Sequence, residues 1–164
     1  MRERTMFRMA QIADVASIVT LVNGYAVDSV MLPITEERVV LSLEDFAVAS
    51  DAGGRVRACG ALKEYSPSLA EIASLAVARD AQGGGLGKRL LSELESLARM
   101  REIDELFALT MTAGFFESAG YVVTERARYP EKIRRDCVTC ARRINCAEVC
   151  VTRVLRAPTW EHAA

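Results

Sequence analysis

Four glycines, at positions 83, 84, 85 and 87, stand between an apolar run, Leu75-Ala76-Val77, and a helical pattern that starts at Leu86. Residues without a Cβ let backbone N–H groups turn toward one point, and a helix start adds unpaired donors with a positive partial charge. Such a nest suits an anion, and a pyrophosphate fits it well. A P-loop is excluded because Arg89 follows Gly87-Lys88 where Ser or Thr is needed, and a dinucleotide fingerprint lacks its third glycine. The residues instead spell Gln-x-x-Gly-x-Gly, with Gln82, Gly85 and Gly87 in the fixed places and Gly83, Gly84, Leu86 and Lys88 around them. A merely flexible glycine-rich loop is the alternative reading.

The rest of the chemistry-bearing inventory is narrow. The single histidine, His162, lies near the end of the sequence, which argues against a Ser-His-Asp or Cys-His apparatus. An acid or base here is therefore a carboxylate, a tyrosine or a hydroxyl. Cys137, Cys140, Cys146 and Cys150 form C-x2-C-x5-C-x3-C, whose first pair resembles a zinc half-site that the other two could complete. Uncoordinated thiols are the competing reading, since Cys150 falls in a strand-like run whose alternation can turn it into the core. Cys59 reads as a small buried hydrophobe.

With 21 basic and 22 acidic residues the net charge is −1, so no global field gathers nucleic acid or an anionic membrane. No apolar run approaches the roughly 18 residues of a bilayer span, and no secretory leader is recognisable, so the cytoplasm is the expected compartment. At 164 residues and 51% hydrophobic content, the sequence is expected to form a single domain spanning 1–164.

The elements that must position these residues follow from periodicity. FRMA reads as a strand, and Ile12, Val15, Ile18, Val19 and Val22 share a helical face that Asn23-Gly24 is expected to stop. Thr35 before Glu36-Glu37 starts a short helix ending near Ser42. DFAVAS, DAGG and RVRACGALKEY read as strand, turn, strand, and LAEIASLAVA as a third strand that delivers the chain into the glycines. Positions 86, 90, 94, 97 and 98 form an apolar helical stripe, with Lys88, Arg89, Glu93, Glu95 and Arg99 facing away. DELFALT, FFESAG, YVVTER and EVCVTRVL then read as strand, short helix, strand and last strand, with a cysteine-bearing insert over 127–150. The order predicts an α/β fold, a mixed sheet flanked by helices.

With these pieces in place, the chain resembles the GNAT superfamily of acyl-CoA-dependent N-acetyltransferases. The likeness rests on the LAV strand, the Gln-x-x-Gly-x-Gly loop, the amphipathic helix and FFESAGY. It implies that residues 82–88 hold the pyrophosphate of acetyl-CoA. It also implies that the backbone of Leu75, Ala76 and Val77 pairs with the pantetheine arm, and that Phe116 belongs to the cofactor surface.

CGALKEYSPSLAEIASLAV, ELFALT, GFFESAGY and the cysteine-bearing tail resemble, more narrowly, the short bacterial N-acetylglutamate synthases. That likeness implies acetyl transfer to the α-amine of L-glutamate, a first step of arginine biosynthesis, with Glu71 as base and Thr112 or Tyr121 as acid. The tyrosine common in the superfamily four residues before Gly-Phe is Phe116 here. Where the synthases carry an arginine after Leu-Val or Leu-Pro, this chain has Ile34 after Leu32-Pro33, which makes Arg38, one turn on, the substitute for carboxylate binding beside Leu32. Arg126, Arg128, Lys132, Arg134, Arg135, Arg142 and Arg143 are further basic residues, read first as a solvated face. Another amino-acid or amine acceptor, and a CoA sensor without catalysis, stand as alternatives. The last strand and the insert are candidates for pairing with a second copy as a homodimer.

Overall fold

The computed structural model describes residues 4–156, so His162 lies outside the described residues. Its strands are β1 (Met6–Met9), β2 (Phe46–Ser50), β3 (Val56–Ser66), β4 (Leu69–Val77), β5 (Glu105–Thr110), β6 (Val122–Thr124) and β7 (Val149–Val154). Helices are α1 (Val15–Ala26), α2 (Glu36–Leu41), α3 (Leu86–Met100), α4 (Ala113–Glu117) and α5 (Pro130–Arg135). The seven strands form one mixed sheet of order β1-β2-β3-β4-β5-β7-β6, in which β4 and β5 are parallel while β5 and β6 each run antiparallel to β7.

Two compact units divide the chain. The first takes in the residues up to Lys63 together with Ile72–Leu97. Its core gathers Val15, Ile18 and Val22 of α1, Val39 of α2, and Phe46, Val48, Val56, Cys59 and Ala61 of the sheet. All five residues of β2 are buried, which is why FAVAS reads as an unbroken run rather than an alternation. Asp51 shapes the β2–β3 hairpin, its carboxylate accepting from the N–H groups of Gly53 and Arg55, both at 3.0 Å. Thr35 caps α2, its hydroxyl accepting from the Arg38 N–H at 3.3 Å.

Two expectations fail in this unit. Helix α1 does not stop at Asn23-Gly24 but runs to Ala26, because the Asn23 side chain finds a distant partner instead of capping locally. Its amide donates to the Ile34 carbonyl at 3.0 Å and accepts from the Ile34 N–H at 2.9 Å. Glu95 is 5% exposed rather than solvated, since it follows Leu91 by one turn and both lie beside the buried Leu94 and Ala98.

The second unit takes in Glu64–Glu71 and the chain from Ala98 onward. Its small aromatic core joins Leu69, Phe107, Tyr129 and Cys150, with the Phe107 and Tyr129 rings stacked at 4.2 Å between centroids. Burying one such ring contributes about 1.5–3 kcal/mol. The cysteine-bearing insert contains α5, started by Pro130 at its first turn, where a missing N–H costs nothing.

Candidate active site

In the first unit β4 ends at Val77, a 3-10 turn covers Arg79–Ala81, and α3 begins at Leu86. Between them Gly83 and Gly85 hold φ angles of +84° and +79°, a left-handed conformation that side chains strain to adopt. A Cβ added at Gly83, Gly84 or Gly85 would meet nothing within 4 Å, so the concave face of the loop is open. The first helical bond there runs from the Arg89 N–H to the Gly85 carbonyl at 3.1 Å, leaving the N–H groups of Leu86, Gly87 and Lys88 ahead of it to point out of the helix end. This cradle fits a pyrophosphate.

The loop is open at its tip and pinned at its root. The Tyr25 hydroxyl donates to the Val77 carbonyl at 2.5 Å and accepts from the Gln82 side chain. Gln82 is thus turned onto Tyr25. Arg79 lies over the Tyr25 ring at 4.7 Å and pairs with Asp28, while Arg57 and Asp80 pair at 2.9 Å. Of the strand residues ahead of the loop, Ala76 is buried and Leu75 and Val77 half-buried. Leu32 and Arg38 are both exposed, and among the described residues no carboxylate pairs with the Arg38 guanidinium.

The second unit gathers a cluster of titratable side chains around Glu71. Glu71, near the start of β4, is 5% exposed. Its Oε2 accepts from the Tyr65 hydroxyl at 2.8 Å and from Lys132 Nζ at 3.0 Å. Lys132 also donates to Asp136 Oδ2 at 3.0 Å, and the Tyr65 hydroxyl bonds the same oxygen. Lys132 and Asp136 meet because they are one turn apart at the end of α5. The Tyr65 ring is braced by Phe107 at 5.6 Å and by the Arg135 guanidinium at 4.9 Å.

Burial and the neighbouring Glu71 charge push the Tyr65 phenol far above its ordinary value, so it stays protonated and able to donate. Burial works to lower Lys132, but the Glu71 charge and the bonds to both carboxylates outweigh it, and the ammonium is raised. Glu148 is pushed up by burial, against the opposing pull of Lys132 and Arg142. Two carboxylates and one ammonium thus converge on a phenol, an arrangement able to hold and pass a proton.

Thr112 precedes α4 without a side-chain capping bond, its N–H donating to Thr110 Oγ1 at 2.9 Å with the two hydroxyls 3.1 Å apart. Tyr121 is 3% exposed and packs edge-on against Phe116, itself 4% exposed, so both belong to the interior.

Of the two readings of the tail cysteines, the zinc set is not supported. Among the described residues no three His, Cys, Asp or Glu side chains are gathered closely enough to hold a metal ion. Cys150 points into the core beside Phe107 and Tyr129, as the alternation of β7 dictates, and the Cys146 sulfur accepts from Arg126 at 2.9 Å. No helix among the described residues is long and apolar enough to cross a membrane.

The sequence singles out Glu71 but not Tyr65 or Asp136, which the structure gathers with Lys132 around it. The i, i+4 spacing of Lys132 and Asp136 behind Pro130 was the available signal for this pair. Tyr25 carried no local signal, since its partners lie 52 and 57 residues away.

The family model described as acetyltransferase (GNAT) domain matches residues 42–123. An uncharacterized N-acetyltransferase of Chlorobaculum tepidum is 36% identical over 151 residues, 92% of this chain and 97% of the relative. The amino-acid acetyltransferase of Neisseria meningitidis is 31% identical over 131 residues, 79% of this chain but only 30% of that protein. This chain thus spans less than a third of the length of that relative. Among solved structures, N-acetylglutamate synthase from Neisseria gonorrhoeae, complexed with coenzyme A and N-acetyl-glutamate, superposes with a TM-score of 0.84 at 28% identity, covering 96% of this chain and 36% of that one.

Proposed function

The chain belongs to the GNAT acetyltransferase family, and we propose that its reaction is transfer of acetyl from acetyl-CoA to the α-amine of L-glutamate. The observation that carries the reading is Glu71, a buried carboxylate held by two donors on the strand that leads into the glycine loop. The likeness to amino-acid acetyltransferases and to a synthase complexed with N-acetyl-glutamate supports the choice of acceptor.

Bound acetyl-CoA supplies a thioester open to attack by a neutral amine. The N–H groups around Gly83, Gly85 and the start of α3 hold its pyrophosphate, and Tyr25 keeps the loop root in place. Glu71 accepts the proton that the amine loses, directly or through a water molecule. Arg38 on α2, which is exposed, supplies a cation that a dicarboxylate needs. Thr112 is the hydroxyl candidate for protonating the departing thiolate.

A second acceptor class is favoured by one observation: position 34 holds an isoleucine whose backbone is clamped by Asn23, so no cation stands there. Thiol release from acetyl-CoA, measured in parallel with L-glutamate, L-glutamine, L-leucine and no acceptor, separates the readings. Glutamate-dependent release well above the others is expected. Equal turnover of leucine and glutamate would overturn the assignment while leaving the acetyltransferase family intact.

A further inference from the structure

Glu71 takes a proton at a site where its side chain is only 7% exposed, whereas the Asp136 side chain is 25% exposed. A buried base that cannot discharge its proton works once. The atoms between these carboxylates form a closed ring: Glu71 Oε2, Tyr65 Oη, Asp136 Oδ2 and Lys132 Nζ, each bonded to the next.

The Lys132 ammonium fills its two edges with two N–H donors, and the Tyr65 phenol fills one of its own two edges with its single proton. The fourth edge lies between the Tyr65 oxygen and one carboxylate, and it becomes a hydrogen bond only when that carboxyl carries a proton. The ring therefore has room for one added proton, and the phenol can pass it across.

We infer that Tyr65 and Asp136 form a proton relay for Glu71. As Glu71 Oε2 gives the proton taken from the amine to the Tyr65 oxygen, the Tyr65 O–H bond breaks and its proton goes to Asp136 Oδ2. The phenol is neutral before and after, as it must be where a phenolate is costly. The more exposed Asp136 then releases the proton to water and the ring resets. Lys132 is a positioning residue that holds both carboxylate oxygens against the phenol without changing its own charge. The inference rests on Glu71 being the base, and it is independent of which amine is the acceptor.

The test is multiple-turnover acetyl transfer at saturating acetyl-CoA, with the best acceptor from the screen, in mixtures of H2O and D2O. Wild type, Tyr65→Phe, Asp136→Asn, the double variant and Glu71→Gln are compared, with thermal melting to verify folding. Both single relay variants are expected to lose about tenfold or more in rate, with acetyl-CoA affinity within about twofold. The double variant should be no slower than the worse single one, as for two parts of one path. The dependence of rate on deuterium fraction should bow in wild type, where several protons move together, and straighten in Tyr65→Phe. A packing defect would lower the rate without straightening that curve. A Tyr65→Phe rate equal to wild type beside a slow Glu71→Gln would overturn the relay alone. A Glu71→Gln rate equal to wild type would remove the base assignment and the relay with it. Asp136→Asn, on a partly exposed side chain, keeps the test open should Tyr65→Phe fail to fold.

Discussion

Glu71 meets the Tyr65 phenol and the Lys132 ammonium through one oxygen, Oε2, and these two contacts fix its geometry. Replacing it with glutamine preserves shape and removes the carboxylate proposed as the base. Glu71→Gln should lower kcat by about 10²–10⁴-fold, the span of general-base contributions, with acetyl-CoA affinity unchanged within about twofold by calorimetry. Asp14 shows the opposite use of a buried acid. Arg8 grips both its oxygens, at 2.6 and 3.0 Å, and the Gln11 N–H adds a bond at 2.7 Å. The Arg8 bond, opposed by burial and aided by Gln11, holds its carboxyl below the ordinary range. A depressed folded pKa gives stability that is present above the unfolded value, near 3.9, and is lost as pH falls through the folded one. Asp14→Asn should therefore cost about 1–3 kcal/mol at pH 7, and its stability should fall less steeply than wild type below about pH 4 in denaturant titrations.

At the scale of elements, the glycine loop ties backbone conformation to binding. Gly85 sits at φ +79° with open space where a Cβ would go, so alanine there is opposed by the backbone and not by a clash. Gly85→Ala should destabilise the left-handed turn by roughly 1–2 kcal/mol, displace the N–H groups that follow it and raise KM for acetyl-CoA about tenfold. Gly84→Ala, at a position without positive φ, should leave the melting temperature nearly unchanged. That loop was legible because glycines, an apolar strand and an amphipathic helix are local signals, as were the Thr35 cap and the turn after Asp51. What escaped was assembled from afar. Asn23 reaches Ile34 and prolongs α1, and Tyr25 reaches Val77 and Gln82. The acid–base ring draws Tyr65 and Glu71 from two strand ends to residues 71 and 61 positions away. Periodicity carries no information about such partners. The narrow likeness to the synthases supplied Glu71 but none of the groups around it.

At the scale of the whole molecule, the five cysteines report on both units at once. All five are free, with Cys59 and Cys150 buried and Cys137, Cys140 and Cys146 half-buried. Only a thiolate attacks a disulfide reagent, and burial pushes Cys59 up to about 12 and Cys150 up to about 11. Each therefore waits for its own surroundings to open: Cys59 lies in the core of the first unit and Cys150 in that of the second. At pH 8 a chromogenic disulfide should react with three thiols per native chain and with all five in denaturant, with or without a chelator. Three tail sulfurs silent until a chelator is added would contradict the arrangement described for Cys137, Cys140 and Cys146. Labelling the two buried thiols along a denaturant series extends the same measurement to cooperativity. Coincident midpoints for Cys59 and Cys150 mean that the units unfold together, and separated midpoints rank the two cores by stability.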